Sequence, residues 1–327
     1  MYAYVQPASP WLSEPIKSYI RKHAPNTKFI DNFDHFPTNA KTVFQFCDGW
    51  ALNRNFLALN SATTGLINAY PNSDALARKD YLARVVELWT AKRPESILKS
   101  HVPATVRLSL DYAEYVEESL TAADDLSLLY SLEANESKPP AERDWWIMKP
   151  ALVDCGAGIR LFSTIDELAN HLELAEYEVE GEDERESMRD FWDAPDDLLP
   201  GDWKAHVFQQ VCAVSAELFQ AAAHTMADKF TTVNKCFELF AVDFLIDSGG
   251  TAWLLEVNET PAFYNVGIAG PLALRLMESV ICVTTEHMGM AQPKDHDHTA
   301  AKERLIQVLD ETEKLAKSNI TEILPES

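Results

Sequence analysis

The sequence predicts a mixed α/β fold, on three observations. Short β-prone runs alternate with turn residues over residues 1–75, and a hairpin signal spans Cys236 to Asn258. Between and beyond these lie segments whose apolar residues recur at helical spacing. At 327 residues and 46% hydrophobic content the chain can bury a sizeable core, as one large domain or two to three small ones.

In chain order, Glu14 to His23 reads as a short helix, and Lys28-Phe-Ile and Thr42-Val-Phe-Gln-Phe read as strands. Together they make a small N-terminal α/β unit over residues 1–75. Leu76, Leu82, Val85, Val86 and Trp89 then recur at helical spacing from Ala75 to Thr90, with Ser73 or Asp74 as N-cap. Ala134 to Arg143 holds a Pro pair and reads as an exposed loop. Asp144 to Lys149 and Ile159 to Phe162 read as strands, and Thr164 with Glu167 forms a capping pattern for a helix. Lys204 to Gln210 is strand-like, and Ala213 to Phe230 helical. Leu272 to Thr285 and Lys302 to Ala316 read as amphipathic helices. The expected division is a central subdomain at 76–148, a C-terminal one at 149–290 and a helical tail at 291–327.

Charge narrows the function classes. There are 28 Lys and Arg against 51 Asp and Glu, a net charge of −23, and a sequence pI near 4.7. Such a chain lacks the clustered cations that neutralise nucleic-acid phosphates or anionic membranes. The most acidic stretch, residues 173–197, reads as a solvated insert. The five cysteines (Cys47, Cys155, Cys212, Cys236, Cys282) form no C-x-x-C pair and read as reduced thiols. With no secretory signal and no apolar run of membrane-spanning length, the expected location is cytoplasmic.

The most specific chemical signal is the hairpin itself. Cys236 to Asp247 and Ala252 to Asn258 flank Ser-Gly-Gly-Thr. Symmetric pairing sets Asp243 opposite Glu256, and Asn258 shares their face. That pairing also puts Leu239, Ala241, Leu245, Ala252 and Leu254 on the acids' face. A merely solvated sheet face should be mostly polar. Two opposed carboxylates among apolar neighbours repel unless a cation sits between them. Two acids and an amide, all oxygen donors, suit Mg²⁺.

A second signal is Lys149-Pro150 followed by Gly156-Ala-Gly158. A lysine at a strand end before a Gly-x-Gly loop can set an ammonium on a phosphate while loop amides cover it. Neither a Walker loop nor G-x-G-x-x-G is present, so an ordinary turn stands as the other reading. Arg78-Lys79 and His206 carry little signal alone, and Asp295-His-Asp-His298 reads as a polar loop. No G-x-S-x-G or H-E-x-x-H supports hydrolase chemistry.

Taken together, Tyr70 to Leu82, Trp146 to Pro150 with Gly156 to Ile159, Val207 to Gln210, and Phe237 to Asn258 with Glu259-Thr-Pro261 resemble the tubulin-tyrosine-ligase-like branch of the ATP-grasp superfamily, in the flavour of its fungal members. The resemblance implies an ATP-grasp fold that holds the nucleotide between two mainly antiparallel sheets. It also implies an ATP- and Mg²⁺-dependent ligase that phosphorylates a carboxylate for attack by an amine, adding an amino acid to a protein acceptor such as tubulin. By this likeness Lys79 and Lys149 hold ATP phosphates and Gly156 to Gly158 cover them. Phe208, Gln209 and Gln210 line the adenine pocket, and Asp243, Glu256 and Asn258 hold Mg²⁺. Lys149 and Glu256 would serve catalysis. The sequence departs from the family in one place. After the adenine strand the family carries Lys-Phe-x-Ile-Arg and His-x-Thr-Asn segments, whereas Gln210 runs straight into Val-Cys-Ala-Val-Ser-Ala-Glu-Leu-Phe219. A deletion is therefore expected near residue 211. It leaves two functions in view: a ligase impaired by the missing segment, or a catalytically silent scaffold that binds a protein partner.

Overall fold

Four parallel strands open the chain: β1 (Tyr2–Gln6), β2 (Lys28–Ile30), β3 (Thr42–Cys47) and β4 (Thr64–Ile67), in the order β2-β1-β3-β4. The structure is a computed structural model and describes residues 1–32, 35–37, 40–47, 64–109, 112–152, 158–173, 189–232, 235–290 and 296–310. Phe44 and Phe46 face one side of this sheet and Val43 and Cys47 the other, all buried. Burial on both faces is why β3 carries apolar residues on each side, Val43 and Cys47 on one and Phe44 and Phe46 on the other, around a buried Gln45. On the first side Ala3, Val5, Phe44 and Phe46 meet Ile16 and Ile20 of the Ser13–His23 helix. Met277 and Ile281 of the Ala269–His287 helix complete that layer. The N-terminal unit is thus closed by a helix from the far end of the chain.

The middle of the chain folds around a two-stranded antiparallel sheet, β5 (Trp146–Met148) and β6 (Arg160–Phe162). Phe162 packs with Leu120, Leu132 and Leu168 from the Val116–Ala122, Ser127–Asn135 and Ile165–Glu173 helices. The Thr164 hydroxyl accepts from the Glu167 N–H at 3.2 Å, as the capping pattern predicts. The Glu167 carboxylate reaches back one residue further than expected, to the Ser163 N–H at 2.7 Å.

The third core joins the Asp74–Ala77, Lys79–Thr90 and Trp203–Thr225 helices to a hairpin of β7 (Ala241–Ile246) and β8 (Ala252–Asn258). Leu76, Val85, Trp89, Val214, Leu218, Leu254 and Val257 are its buried centre. Glu217 ties the helices together, accepting from Trp89 Nε1 at 2.7 Å and from the Ile97 N–H at 3.1 Å.

Several expectations are corrected. Lys204 to Gln210 is not a strand but the start of the Trp203–Thr225 helix, whose N-terminus is capped by the Asp202 carboxylate. Trp203, Val207, Val214, Leu218, Ala221 and Ala222 are the buried residues, and their spacing is helical once the whole 23-residue stretch is considered. The expected helix from Ala75 to Thr90 is broken at Arg78, whose backbone is extended (φ −87°, ψ 126°). Cys236 belongs to neither hairpin strand; it bridges Ile67 in parallel and so extends the first sheet. Residues His296–Glu303 are helical rather than a polar loop. Gly156, Cys155, most of the acidic insert and residues 311–327 lie outside the described residues. Among the described residues no helix is long and apolar enough to cross a membrane, and Cys47, Cys212, Cys236 and Cys282 take part in no disulfide.

Two side chains lock these parts together. The Gln210 amide grips the hairpin turn: its Nε2 donates to the Gly250 carbonyl at 2.9 Å and its Oε1 accepts from the Ala252 N–H at 3.0 Å. Glu238, just beyond Cys236, accepts from the Tyr70 N–H at 3.1 Å and lies 3.2 Å from the Ser73 hydroxyl. Burial, reinforced by the nearby Glu259 charge, pushes the Glu238 carboxyl up to about 7. Burial and Glu238 together push the Cys236 thiol up to about 11, so it stays protonated at neutral pH.

Replacing Gln210 with Ala strands the Gly250 carbonyl and the Ala252 N–H. The expected cost is about 1–3 kcal/mol, read as a lower urea midpoint at unchanged slope. Glu238 sets a pH dependence of known sign. Between its unfolded value of 4.5 and about 7 the folded chain holds a proton that the unfolded chain has lost. Stability therefore falls as pH rises through that window and levels off above it. Glu238→Gln should flatten this dependence, by up to about 3 kcal/mol, when unfolding is compared at pH 5 and pH 8.

Candidate functional site

The hairpin brings its acids together as the pairing rule predicts, but by a different register on the turn side. Ala241, Val242 and Asp243 pair with Asn258, Val257 and Glu256. Beyond Asp243 the register shifts by one, so that Phe244, Leu245 and Ile246 pair with Leu254, Trp253 and Ala252. Leu255 is the extra residue of a β-bulge. Because one residue of slip exchanges the faces of a strand, Ala252 and Leu254 point into the core and are buried. The expectation that they share the acids' face is thereby overturned. Leu245 and Leu255 are the apolar residues left exposed along the hairpin.

The turn spans Asp247 to Thr251 between the last paired residues, with Gly250 in the left-handed region at φ 80°. The Asp247 carboxylate accepts from the N–H groups of Gly249 and Thr251 and from Trp253 Nε1, all at 2.9 Å. These bonds hold it below the usual carboxylate range. Turn and Gln210 clamp together fix the frame that carries the acids.

Asp243, Glu256 and Asn258 converge at the opposite end of that frame. The Asn258 Nδ2 donates to Asp243 Oδ2 at 3.3 Å. The Asp243 carboxyl is raised above its ordinary value, first by desolvation and then by repulsion from Glu256; the Asn258 bond and the Lys149 ammonium pull the other way. Lys79 Nζ stands 3.6 Å from Glu256 Oε2. The helix break at Arg78 makes Lys79 the first residue of the Lys79–Thr90 helix. Arg78 is engaged locally, with Nη2 2.8 Å from Asp80 Oδ2 and its guanidinium 4.0 Å from the centre of the Tyr81 ring.

Lys149 follows β5 directly, and Ile147, two residues before it, shares its side of the strand by alternation. Ile147 pairs with Leu161 across the sheet, and both are exposed, at 50% and 61%. Gly158 adopts a left-handed backbone, φ 69°, two residues before β6.

Five of the sequence-derived site residues thus come together: Lys79, Lys149, Asp243, Glu256 and Asn258. Phe208, Gln209 and Gln210 do not line a strand beside them. They sit on a helix, with the Phe208 ring 5.5 Å from that of Trp192 and the Gln210 amide spent on the hairpin turn. Sequence reasoning missed the Ser73, Glu238 and Glu259 cluster. Its one visible signal was an acid, Glu238, inside an otherwise apolar run.

The donor set fits a hard divalent cation. Two carboxylates and an amide oxygen are the ligands Mg²⁺ takes, and the upward shift of Asp243 marks a place where a positive charge is favoured. Among the described residues no group of three or more His, Cys, Asp and Glu side chains forms a metal-holding cluster.

Comparisons with known proteins identify the family and the fold. The profile of the tubulin-tyrosine ligase family matches residues 58–179 and 169–295. A probable tubulin–tyrosine ligase of Schizosaccharomyces pombe is 28% identical over 300 residues, covering 62% of this chain and 73% of that protein. The probable tubulin–tyrosine ligase PBY1 of Saccharomyces cerevisiae is 32% identical over 162 residues, 48% of this chain; the chain spans a fifth of that protein's length. The crystal structure of the C-terminal domain of Pby1 from K. lactis superposes with a TM-score of 0.65 at 22% identity, over 90% of this chain and 95% of that domain. It is described as an ATP-grasp enzyme interacting with the mRNA decapping enzyme Dcp2. The parallel N-terminal sheet and the two antiparallel pairs, one of them the acid-bearing hairpin, are therefore an ATP-grasp architecture, and the chain belongs to the tubulin-tyrosine ligase family.

Proposed function

We propose that the chain is an ATP- and Mg²⁺-dependent carboxylate–amine ligase that adds an amino acid to a protein carboxylate, with activity reduced by a missing internal segment. The observation that carries this reading is the convergence of two lysines on an opposed acid pair and its amide. Mg²⁺ held by Asp243, Glu256 and Asn258 would neutralise phosphate charge as the γ-phosphoryl group moves. Lys79 and Lys149 supply ammonium groups to the phosphates, and the exposed Ile147 and Leu161 offer an apolar surface beside Lys149 for the base. Gly158 ends the loop that would cover the phosphates.

In the reaction, a carboxylate oxygen of the acceptor attacks the γ-phosphorus and ADP leaves. The amine nitrogen then attacks the acyl carbon. A C–N bond forms, the C–O bond to phosphate breaks, inorganic phosphate departs and the amine's surplus proton passes to solvent.

The helical state of Val207 to Gln210 moves the gap in our reading. With no adenine strand ending at Gln210, we put the discontinuity upstream of Trp203, near residues 169–179, where the two stretches that match the family profile overlap. The fission-yeast alignment supports a gap of this kind. It runs over 300 positions, while 62% of 327 residues is about 203, which leaves about 97 positions of the relative without a counterpart. In this reading the adenine-facing strand and the basic segments after it belong to the missing interval, and Phe208, Gln209 and Gln210, which sit on a helix, are left out of the proposed nucleotide site. We place the protein in the reducing cytoplasm, on a sequence whose five scattered cysteines include no C-x-x-C pair. The same gap favours a second reading, a silent ATP-grasp scaffold for a protein partner, and the Dcp2-interacting neighbour is its precedent. Strong acidity makes the acidic tails of tubulin a poor long-range match.

The test is ATP-dependent amide formation by the full chain with labelled amino acids and protein acceptors, tubulin included. Turnover should exceed that of Asp243→Ala, and Lys149→Met should lower it roughly 10²–10³-fold, the scale of losing one electrostatic stabiliser. Wild-type turnover no faster than that of Asp243→Ala would overturn the ligase and leave the scaffold.

A further inference from the structure

The helix break at Arg78 lacks the usual causes. Sharp breaks fall mostly at Pro, at Gly/Ser pairs or where a side chain or water enters the ladder. The sequence from Asp74 to Thr90 holds neither Pro nor Gly. The Arg78 carbonyl accepts from the Leu82 N–H at 2.8 Å, opening the Lys79–Thr90 helix. The Arg78 N–H donates to the Asp74 carbonyl at 3.0 Å, closing the Asp74–Ala77 helix. One residue therefore ends one helix and starts the next. N-caps favour Ser, Thr, Asp and Asn, whose short side chains bond the free N–H groups; the Arg78 side chain makes no such bond.

The guanidinium is engaged with the two residues after Lys79. Its Nε and Nη2 fork onto the Asp80 carboxylate at 3.1 Å and 2.8 Å, and its centre lies 4.0 Å from that of the Tyr81 ring. A planar fork and a stack on an aromatic face belong to Arg; an ammonium in its place makes neither in the same way. These contacts tie the extended residue to the first turn of the helix that follows it.

The consequence falls on Lys79. In an unbroken helix Lys79 would lie about one turn from Ala75, Leu76 and Leu82, all buried, and so within their apolar stripe. An ammonium there would lose its hydration. With the break in place, Lys79 Nζ stands 3.6 Å from Glu256 Oε2. A positive charge at a helix N-terminus is also opposed by the macrodipole, so helix preference alone does not put the lysine there.

We propose that Arg78 is a positioning residue: its fork on Asp80 and its stack on Tyr81 hold the break that aims Lys79 at the acid pair. The use of that ammonium on a phosphate rests on the ligase reading; the break and the Lys79–Glu256 pair do not.

Two measurements on the full chain test this. The first needs no nucleotide. In the wild-type chain the joint effect of Lys79→Met and Glu256→Gln on the unfolding constant should differ from the product of the separate effects by roughly 2–5-fold. In an Arg78→Lys background the difference should vanish. The second is calorimetric titration with Mg-ATP. Arg78→Lys and Asp80→Ala should each bind about 5-fold or more weakly than wild type, and Arg78→Lys combined with Lys79→Met no more weakly than Lys79→Met alone. Asp80→Ala removes the fork from its other partner and decides the matter should Arg78→Lys not fold. No Lys79–Glu256 coupling in the wild type, or coupling that survives in Arg78→Lys, overturns the proposal. So does wild-type affinity in Arg78→Lys, or a further loss when it is added to Lys79→Met. Tighter binding by Asp80→Ala overturns it too, because that marks an Arg78 that meets the phosphates itself once freed. Failure of the wild type to bind Mg-ATP sinks the nucleotide reading alone, and the unfolding cycle then decides the proposal.

Discussion

The structure turns on one unfavourable contact, the direct opposition of Asp243 and Glu256 across the β7–β8 ladder. Like charges in opposed positions destabilise a hairpin, and desolvation adds to their repulsion at Asp243. The surroundings compensate from three directions. Asn258 donates from the same strand as Glu256, Lys79 approaches from the helix that begins after the break at Arg78, and Lys149 arrives at the end of β5. Each comes from a different part of the chain, so the acid pair is where the middle and last units of the fold are bound together electrostatically. A divalent cation would complete the same neutralisation.

Holding that contact requires a rigid frame, and the sequence supplies it at the turn. The Asp247 carboxylate, the left-handed Gly250 and the Gln210 amide fix the loop, while the bulge at Leu255 turns Ala252 and Leu254 inward. Without the bulge the hairpin would have to choose between a buried core face and a correctly placed acid pair. With it the strand changes face midway and achieves both.

Much of this was legible in the sequence. The pairing of Asp243 with Glu256, two of the four strands of the N-terminal sheet (Lys28–Ile30 and the one that begins at Thr42) and the Thr164–Glu167 capping pattern follow from spacing and local hydrogen-bonding rules. The bulge did not, because a symmetric register and a bulged one present the same alternation up to Asp243 and differ only in which side of the strand finds a core. Val207 to Gln210 misled because four residues of mixed apolar and polar character fit either period; the 23-residue context of Trp203–Thr225 decides for helix. The Ser73–Glu238–Glu259 cluster joins residues up to 186 positions apart, a contact that only the packing of the two units creates. The acidity that first excluded nucleic acids now has a second meaning. In our reading the segment absent upstream of Trp203 includes basic residues, so part of the −23 charge reflects what the chain lacks.

The central claim is that the acid pair is a cation site held against its own repulsion. It is tested most directly by the thermal midpoints of the wild-type chain and Asp243→Asn, each with a chelator and with Mg²⁺. If the account holds, Asp243→Asn melts above the wild type in chelator, because one repelling charge is gone, and Mg²⁺ raises the midpoint of the wild type alone. A variant that melts below the wild type in chelator, with Mg²⁺ shifting both proteins equally, would contradict it.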